Sequence, residues 1–363
     1  MIFNGGGIIL ATKREQEILA LIKQDPLITQ AQLAEKTGTT RSNIGSHISN
    51  LIKEGLIVGR GYVFPAENEV TVIGAVNLDV LGAAKAQVST TGSTPGRVYS
   101  FIGGMGRNIA TNLANLGVKT KLITVYGNDN NGDLFQAEAQ NNELDLSDAL
   151  RVERPTATYV YLNDVDGRRI AGIDDMQINE LLTPRVIEKR LPKINAAKVV
   201  VVDSNLPAET LNYIYENVTV PIFAKAVGID KAKNLFSAKT KIDTLVINSV
   251  EAKLLTQIEI TGEKQAQMVA DKLQVWGCKR VCIYADGLGI YYQTPTVAKF
   301  IAYHKANLVN TNGVGAAIIA ASVYAKLQAK DLGETLKLMQ RADVLTAQVN
   351  EAVTPKLSEI IEE

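Results

Sequence analysis

Sulfur and imidazole are scarce in this chain: two cysteines, Cys278 and Cys282, and two histidines, His47 and His304, stand among 363 residues. So few thiols exclude a disulfide framework, and a reducing compartment is expected. A structural Cys/His metal site takes about four ligands. With no second cysteine pair, both cysteines read as ordinary apolar residues. An excess of one charge is also missing, since 38 Lys/Arg balance 38 Asp/Glu. A neutral chain is no nucleic-acid coat, although one local element can still read DNA. Long apolar runs are lacking too. No stretch reaches membrane-spanning length, and Ile8-Ile9-Leu10 is too short for a signal-peptide core. A cytoplasmic protein without a membrane partner is expected. What is present, 46% hydrophobic and 21% charged residues, suits a globular chain of two or three domains.

Two patterns follow one another. Residues 12–54 are densely helical, 55–64 read as a small hairpin, and 65–69 as a linker. From Val70 onward, short Val/Ile-rich runs alternate with helical patterns. Strands are expected at 71–73, 121–125, 198–202, 221–223, 244–248 and 280–284. Such runs separated by helices indicate parallel strands covered on both faces. The expected domains are 12–66 and 70–363.

In the first segment, a helix over 13–24 has Thr12 as N-cap and Glu15 three residues on, a capping box. Pro26 ends it, a second helix covers 30–36, and Gly38 supplies the turn. A third runs from near Thr40 to Gly55, with Ile44, Ile48, Leu51 and Ile52 as its buried stripe. Asn43, Ser46, His47 and Asn50 fall on the other side. With Arg41 and Ser42, they are the candidates for base edges and phosphates. The order helix, helix, turn, helix, hairpin resembles a bacterial winged helix-turn-helix. The wording Gln32-Leu33-Ala34-Glu35-Lys36-Thr37-Gly38, then Arg41-Ser42-Asn43-Ile44, is typical of it. Residues 12–64 carry seven Lys/Arg against five Asp/Glu. Double-stranded DNA is the expected partner; a helical cap or dimerisation module is the alternative.

In the second segment, a strand near Val72 leads into Gly74-Ala75-Val76-Asn77-Leu78-Asp79. Ligands of parallel sheets sit beyond the carboxyl ends of strands. Asn77 and Asp79, placed there, suit sugar hydroxyls. Gly103-Gly104-Met105-Gly106-Arg107-Asn108 then opens a helix, and its glycines let the backbone approach a ligand. Together with Ala110, Leu113, Leu116 and Gly117, these residues resemble the first signature of the ribokinase family, the phosphofructokinase-B type carbohydrate and nucleoside kinases. The resemblance spans about residues 70–350 and is nearest the pseudouridine kinases within the family. Asp174-Asp175-Met176-Gln177-Ile178, Pro95-Gly96 and Asp203-Ser204-Asn205 add to it. It implies a three-layer α/β fold with a mostly parallel sheet and a small β lid, formed by 97–101 and 158–171. It also implies that Asn77, Asp79, Gly103, Gly104 and Asn108 hold a sugar or nucleoside, and that two copies pair through the lid.

The second family signature reads Asp-Thr-x-Gly-Ala-Gly-Asp, its last aspartate being the general base. Here the chain reads Asn310-Thr311-Asn312-Gly313-Val314-Gly315-Ala316. Ala316 has no titratable group, while Gly313 and Gly315 keep the anion-binding turn. Asn248 and Glu251 match the family's nucleotide- and magnesium-organising Asn-x-x-Glu. Lys225 stands where the family has an acid. Gly287 and Gly289 keep the nucleotide turn, but Asp286 replaces its first glycine. Loss of a positioned base costs about 10²- to 10⁴-fold, or roughly 3–5 kcal/mol of barrier. Two readings follow. One is a catalytically impaired kinase domain that senses a nucleoside or sugar for the DNA-binding module, with no cofactor. The other is a working kinase using ATP and Mg2+. Substitutions engineered into an active enzyme would give the same sequence. The tail from Thr354 reads as an exposed helix without chemistry.

Overall fold

The computed structural model describes residues 3–4, 7–8, 12–25, 28–53, 56–57, 70–89, 91–228, 230–285, 287–303, 312–349 and 351–361. Pro26, most of the expected hairpin, the linker, Asp286, Asn310 and Thr311 lie outside these residues.

Strands β1 (Phe3–Asn4) and β2 (Gly7–Ile8) pair antiparallel. Helices α1 (Lys13–Gln24), α2 (Gln30–Thr37) and α3 (Arg41–Lys53) follow. Thr12 with Glu15 and Thr29 with Gln32 form capping boxes on the first two. Ile18, Ile22, Leu33, Ile44, Ile48 and Leu51 share one small core. Ile52, expected in that stripe, is 46% exposed. At 3.6 residues per turn, it follows Leu51 round onto the next face.

The larger unit starts with β3 (Val70–Ile73). The chain leaves it for a hairpin of β4 (Asn77–Ala84) and β5 (Gly96–Gly103). It returns through α4 (Met105–Asn115) to β6 (Thr120–Ile123). An annex of β7 (Val125–Gly127), α5 (Asn130–Asn141) and β8 (Leu150–Val152) comes next. Strands β9 (Thr158–Asn163) and β10 (Arg169–Asp175) join the hairpin. Helices α6 (Pro184–Glu188) and α7 (Leu191–Ala196) precede β11 (Val199–Asp203), and α8 (Ala208–Asn217) precedes β12 (Ile222–Lys225). Strand β13 (Ile242–Asn248) runs into α9 (Ser249–Thr256) and α10 (Glu263–Val275). Strands β14 (Cys278–Ala285), β15 (Gly289–Gln293) and β16 (Ala298–Ala302) finish the sheet, and α11 (Val314–Leu327) and α12 (Leu332–Ala347) close the fold.

The main sheet runs β16-β15-β14-β13-β12-β11-β3-β6, its six strands from β14 to β6 parallel and its last two at the other edge antiparallel. These six are the strands expected from sequence, with ends moved by no more than two residues. The antiparallel pair was not expected. Apolar cores fill both faces, one under α4, α11 and α12, the other under α6, α8, α9 and α10. Helix α11 is apolar all round and buried, as a central helix must be. The tail is not an exposed helix: Pro355–Ile360 is a 3₁₀ turn whose Leu357 and Ile360 are buried.

The lid is a separate four-stranded sheet, β10-β9-β4-β5. It holds a strand the sequence reading missed, because β4 itself carries Asn77 and Asp79. These residues stand at the start of the first lid strand, not in a loop beyond β3. Side chains alternate faces along a strand. Asp79 is therefore level with Phe101, Tyr159 and Asp174 on one face, while Val80, Val160 and Ile173 form a row on the other.

Candidate ligand site and nucleic-acid face

Asn77 pairs in register with Gly103, which joins the base of the lid to the start of α4. The Asn77 amide donates to Oδ1 of Asp79 at 2.7 Å. The Asp79 carboxylate packs so closely on Gly103 that a Cβ there would overlap it. Burial pushes the Asp79 carboxyl up to about 6, against the pull of Asn77, Arg107 and Arg169. Asn108, 7% exposed, accepts a hydrogen bond from Nη1 of Arg107 at 2.8 Å. The other end of that guanidinium is ion-paired with Glu138. Burial lowers Arg107 to about 10, with Asp79 opposing the fall. Asn77, Asp79, Gly103, Gly104 and Asn108 are thus brought together. Arg107 and Glu138, not singled out from sequence, belong to the same cluster.

The face of the lid that carries Asp79 is aromatic. Tyr159 and Tyr161 stack at 5.2 Å, and the Arg169 guanidinium lies 5.5 and 4.8 Å from their ring centres. Alternate aromatic residues in β9 were the only signal for them in the sequence. Asp203 ends β11 fully buried and accepts the amide hydrogens of Ala75 at 2.9 Å and Asn205 at 2.8 Å. It ties the turn after β3 to the centre of the sheet. Burial raises its carboxyl above the usual range, and these amides hold it back.

The phosphate half lies along the carboxyl edge of the same sheet. Asn248 ends β13 and caps α9, its Oδ1 accepting from the Glu251 amide at 2.7 Å, and Glu251 returns the bond at 3.0 Å. Lys225 ends β12, 1% exposed, with Nζ 2.9 Å from Oε2 of Glu251. It also donates to the Ala226 carbonyl. Burial alone would lower this ammonium; the Glu251 carboxylate beside it holds it above the ordinary lysine value. The Lys225 stem and the Tyr284 hydroxyl fill the space directly in front of Gly315, in the first turn of α11. Ala316 follows, wholly buried in the apolar core. Gly313 caps α11 against the backbone of Ala352. Gly287 and Gly289 form the turn between β14 and β15, and Gly287 is exposed.

The surroundings of Glu251 do not fit a divalent cation, because the Lys225 ammonium already stands against that carboxylate. Oε2 of Glu251 accepts from both Lys225 and the start of its own helix. Position 316 offers no side-chain oxygen. Among the described residues, no three His, Cys, Asp or Glu side chains gather as a metal site.

On α3, Arg41, Ser42, Asn43 and Ser46 are exposed on one side. His47 and Asn50 instead reach Oε1 of Glu15 in α1, at 3.4 and 3.2 Å. Glu15 is nearly buried. Although burial would raise it, hydrogen bonds from Thr12, Asn50 and His47 bring it down to about 2.

The fold and this arrangement define a ribokinase-like domain behind a helix-turn-helix. Residues 67–358 match the pfkB family of carbohydrate kinases, and residues 12–58 match a winged helix-turn-helix DNA-binding family. The chain belongs to the pfkB carbohydrate kinase family, whose members typically use ATP and Mg2+. It is 29% identical over 318 residues to the uncharacterized sugar kinase YeiI of Escherichia coli (strain K12), covering 87% of this chain and 88% of that one. It is 29% identical over 292 residues to the pseudouridine kinase of the same organism, covering 80% and 93%. Among solved structures, Arabidopsis thaliana ribokinase complexed with ribose and ATP superposes with a TM-score of 0.72 at 22% identity, covering 82% of this chain and all of that one. A carbohydrate kinase from Agrobacterium tumefaciens gives 0.69 at 23%, covering 81% and 96%. Among the described residues no helix is long and apolar enough to cross a membrane.

Proposed function

We propose that this chain is a ligand-responsive DNA-binding protein. Its pfkB domain binds a nucleoside or sugar and has lost most of its phosphoryl-transfer activity. Asp79, Asn77 and Asn108 offer acceptors and donors to vicinal hydroxyls, and the half-buried Tyr159 offers a ring to a planar base. The observation that carries the reading is Ala316, sealed in the apolar core at the family's base position. Asn248 and Glu251 favour the second reading, a working ATP-dependent kinase, because their capping geometry is intact. On the first reading, the exposed face of α3 holds DNA and ligand binding biases that contact through a difference in affinity between two states.

The lid supports pairing with a second copy. Val98 (74%), Ile173 (75%), Leu162 (42%) and Val160 (40%) are exposed on the face turned away from Asp79. An exposed apolar sheet face of this kind marks an association surface. The test of function is calorimetry on the full chain with pseudouridine, uridine and ribose, beside a coupled kinase assay. Binding without turnover is expected. No binding of any of them at millimolar concentration would sink the proposal.

A further inference from the structure

Lys225 needs a reason to be where it is. An ammonium taken out of water is costly unless paired and fully hydrogen-bonded. This one is both. A lysine has three donors. Here Glu251 Oε2, the Ala226 carbonyl and the Tyr284 hydroxyl face them. The Nζ atom also lies 5.5 Å from the Tyr284 ring centre. With its acceptors already supplied, the ammonium has no hydrogen left to offer a ligand's phosphate. One Glu251 oxygen, Oε2, accepts from both Lys225 and the Asn248 amide, and the ammonium neutralises the carboxylate. The stem, meanwhile, occupies the approach to Gly315.

We propose that Lys225 is a built-in cation that closes the phosphate end of the domain, so that the small-molecule ligand binds without ATP and without a divalent cation. The inference rests on the ligand-sensing reading above and deepens it: occupancy would follow the concentration of the nucleoside or sugar alone. A fixed positive charge beside Glu251 neutralises the carboxylate as a metal would. Unlike a metal, it does not exchange with solvent, and it does not leave with a nucleotide.

The experiment uses the full chain and two probes, Mn2+ followed by electron paramagnetic resonance and ATP followed by thermal melting. The wild type is expected to bind no Mn2+ at millimolar concentration, and ATP is expected to leave its melting temperature unchanged. Lys225→Ala frees Glu251 and opens the space before Gly315, so its Mn2+ affinity should rise at least tenfold. Mn2+ or ATP binding by the wild type overturns the proposal, and that arm needs no variant. A folded Lys225→Ala protein that stays blind to Mn2+ overturns it too. Lys225→Met, which keeps the stem and removes the charge, gives the same readout if the alanine variant does not fold. Calorimetry with pseudouridine in EDTA separates the two readings. Binding that appears only on adding Mg2+ defeats the Lys225 proposal and leaves sensing intact. Failure to bind nucleosides under any condition defeats sensing, and the Mn2+ result still judges Lys225.

Discussion

Oδ2 of Asp203 accepts the amide hydrogen of Ala75 at 2.9 Å, across 128 residues of sequence. The bond fixes the turn from which Asn77 and Asp79 are launched into the lid. A buried carboxylate that accepts backbone N–H groups leaves them orphaned when removed. Asp203→Ala should therefore cost about 2–4 kcal/mol of stability. Urea denaturation checks this, and a loss below about 1 kcal/mol would contradict the role.

On the proposed reading, Asp79 should make ligand binding depend on pH. Its carboxyl titrates near 6 in the folded protein, above its ordinary 3.8. Sugar hydroxyls donate to the ionised form, so affinity should climb through pH 6 and level off above 7. At pH 5 it should be weaker by about tenfold. The sign for stability is opposite. A carboxyl raised in the folded protein adds stability that is complete below about pH 4 and is lost as pH rises through 6. Calorimetry across pH 5–8 tests the first part; a flat profile, or the same slope in Asp79→Asn, would count against it.

Restoring the missing acid should not restore the enzyme. Ala316 is enclosed by apolar neighbours, and an aspartate there would be desolvated, at a cost of about 2–4 kcal/mol. With Lys225 closing the same end, Ala316→Asp is expected to stay silent with ATP, Mg2+ and pseudouridine. Turnover regained by this one change would show that only the base was missing, and would remove the case for Lys225.

Arg41 and Glu15 should separate contact from support in the DNA-binding module. Arg41 is exposed on α3, so Arg41→Ala should weaken binding to selected DNA and lower the salt slope by about one. Glu15→Ala removes the capping partner of Thr12 and the anchor of His47 and Asn50. It should cost about 1–2 kcal/mol. Because Glu15 is held near 2, its contribution is complete above pH 4.5 and is lost as pH falls towards 2. Melting and DNA titration distinguish the two variants; an unchanged salt slope in Arg41→Ala would exclude a phosphate contact.

Ile173 is the most exposed large hydrophobic residue of the outer lid face. Ile173→Glu should shift a dimer to monomer while leaving the Asp79 face untouched, since β10 alternates its side chains. Light scattering reads the mass. A wild-type monomer at micromolar concentration would refute pairing through the lid.

The local chemistry was written in the order of residues. Thr12 with Glu15, the Val/Ile runs of the six parallel strands and the Gly103–Asn108 turn each depend on neighbours within a few positions, and periodicity and capping make such features legible. The sequence also showed Ala316 where a base was expected. It did not show that Asn77 begins a lid strand, because the three residues between β3 and β4 carry no signal for leaving one sheet and entering another. The antiparallel strands β15 and β16 were hidden for a similar reason: short edge strands have weak patterns. His47 and Asn50 lie on the polar side of α3 by periodicity, yet only the packing of α1 turns them towards Glu15. Lys225 is the clearest case. Along the chain it is a lysine at the end of an apolar run. Folding sets it against Glu251, 26 residues on, and against the first turn of α11, making it an interior charge whose partners come from three separate elements. Sequence spacing determines which residues can share a helix or strand face; only the tertiary fold decides which distant charges meet out of water, where pairing is obligatory.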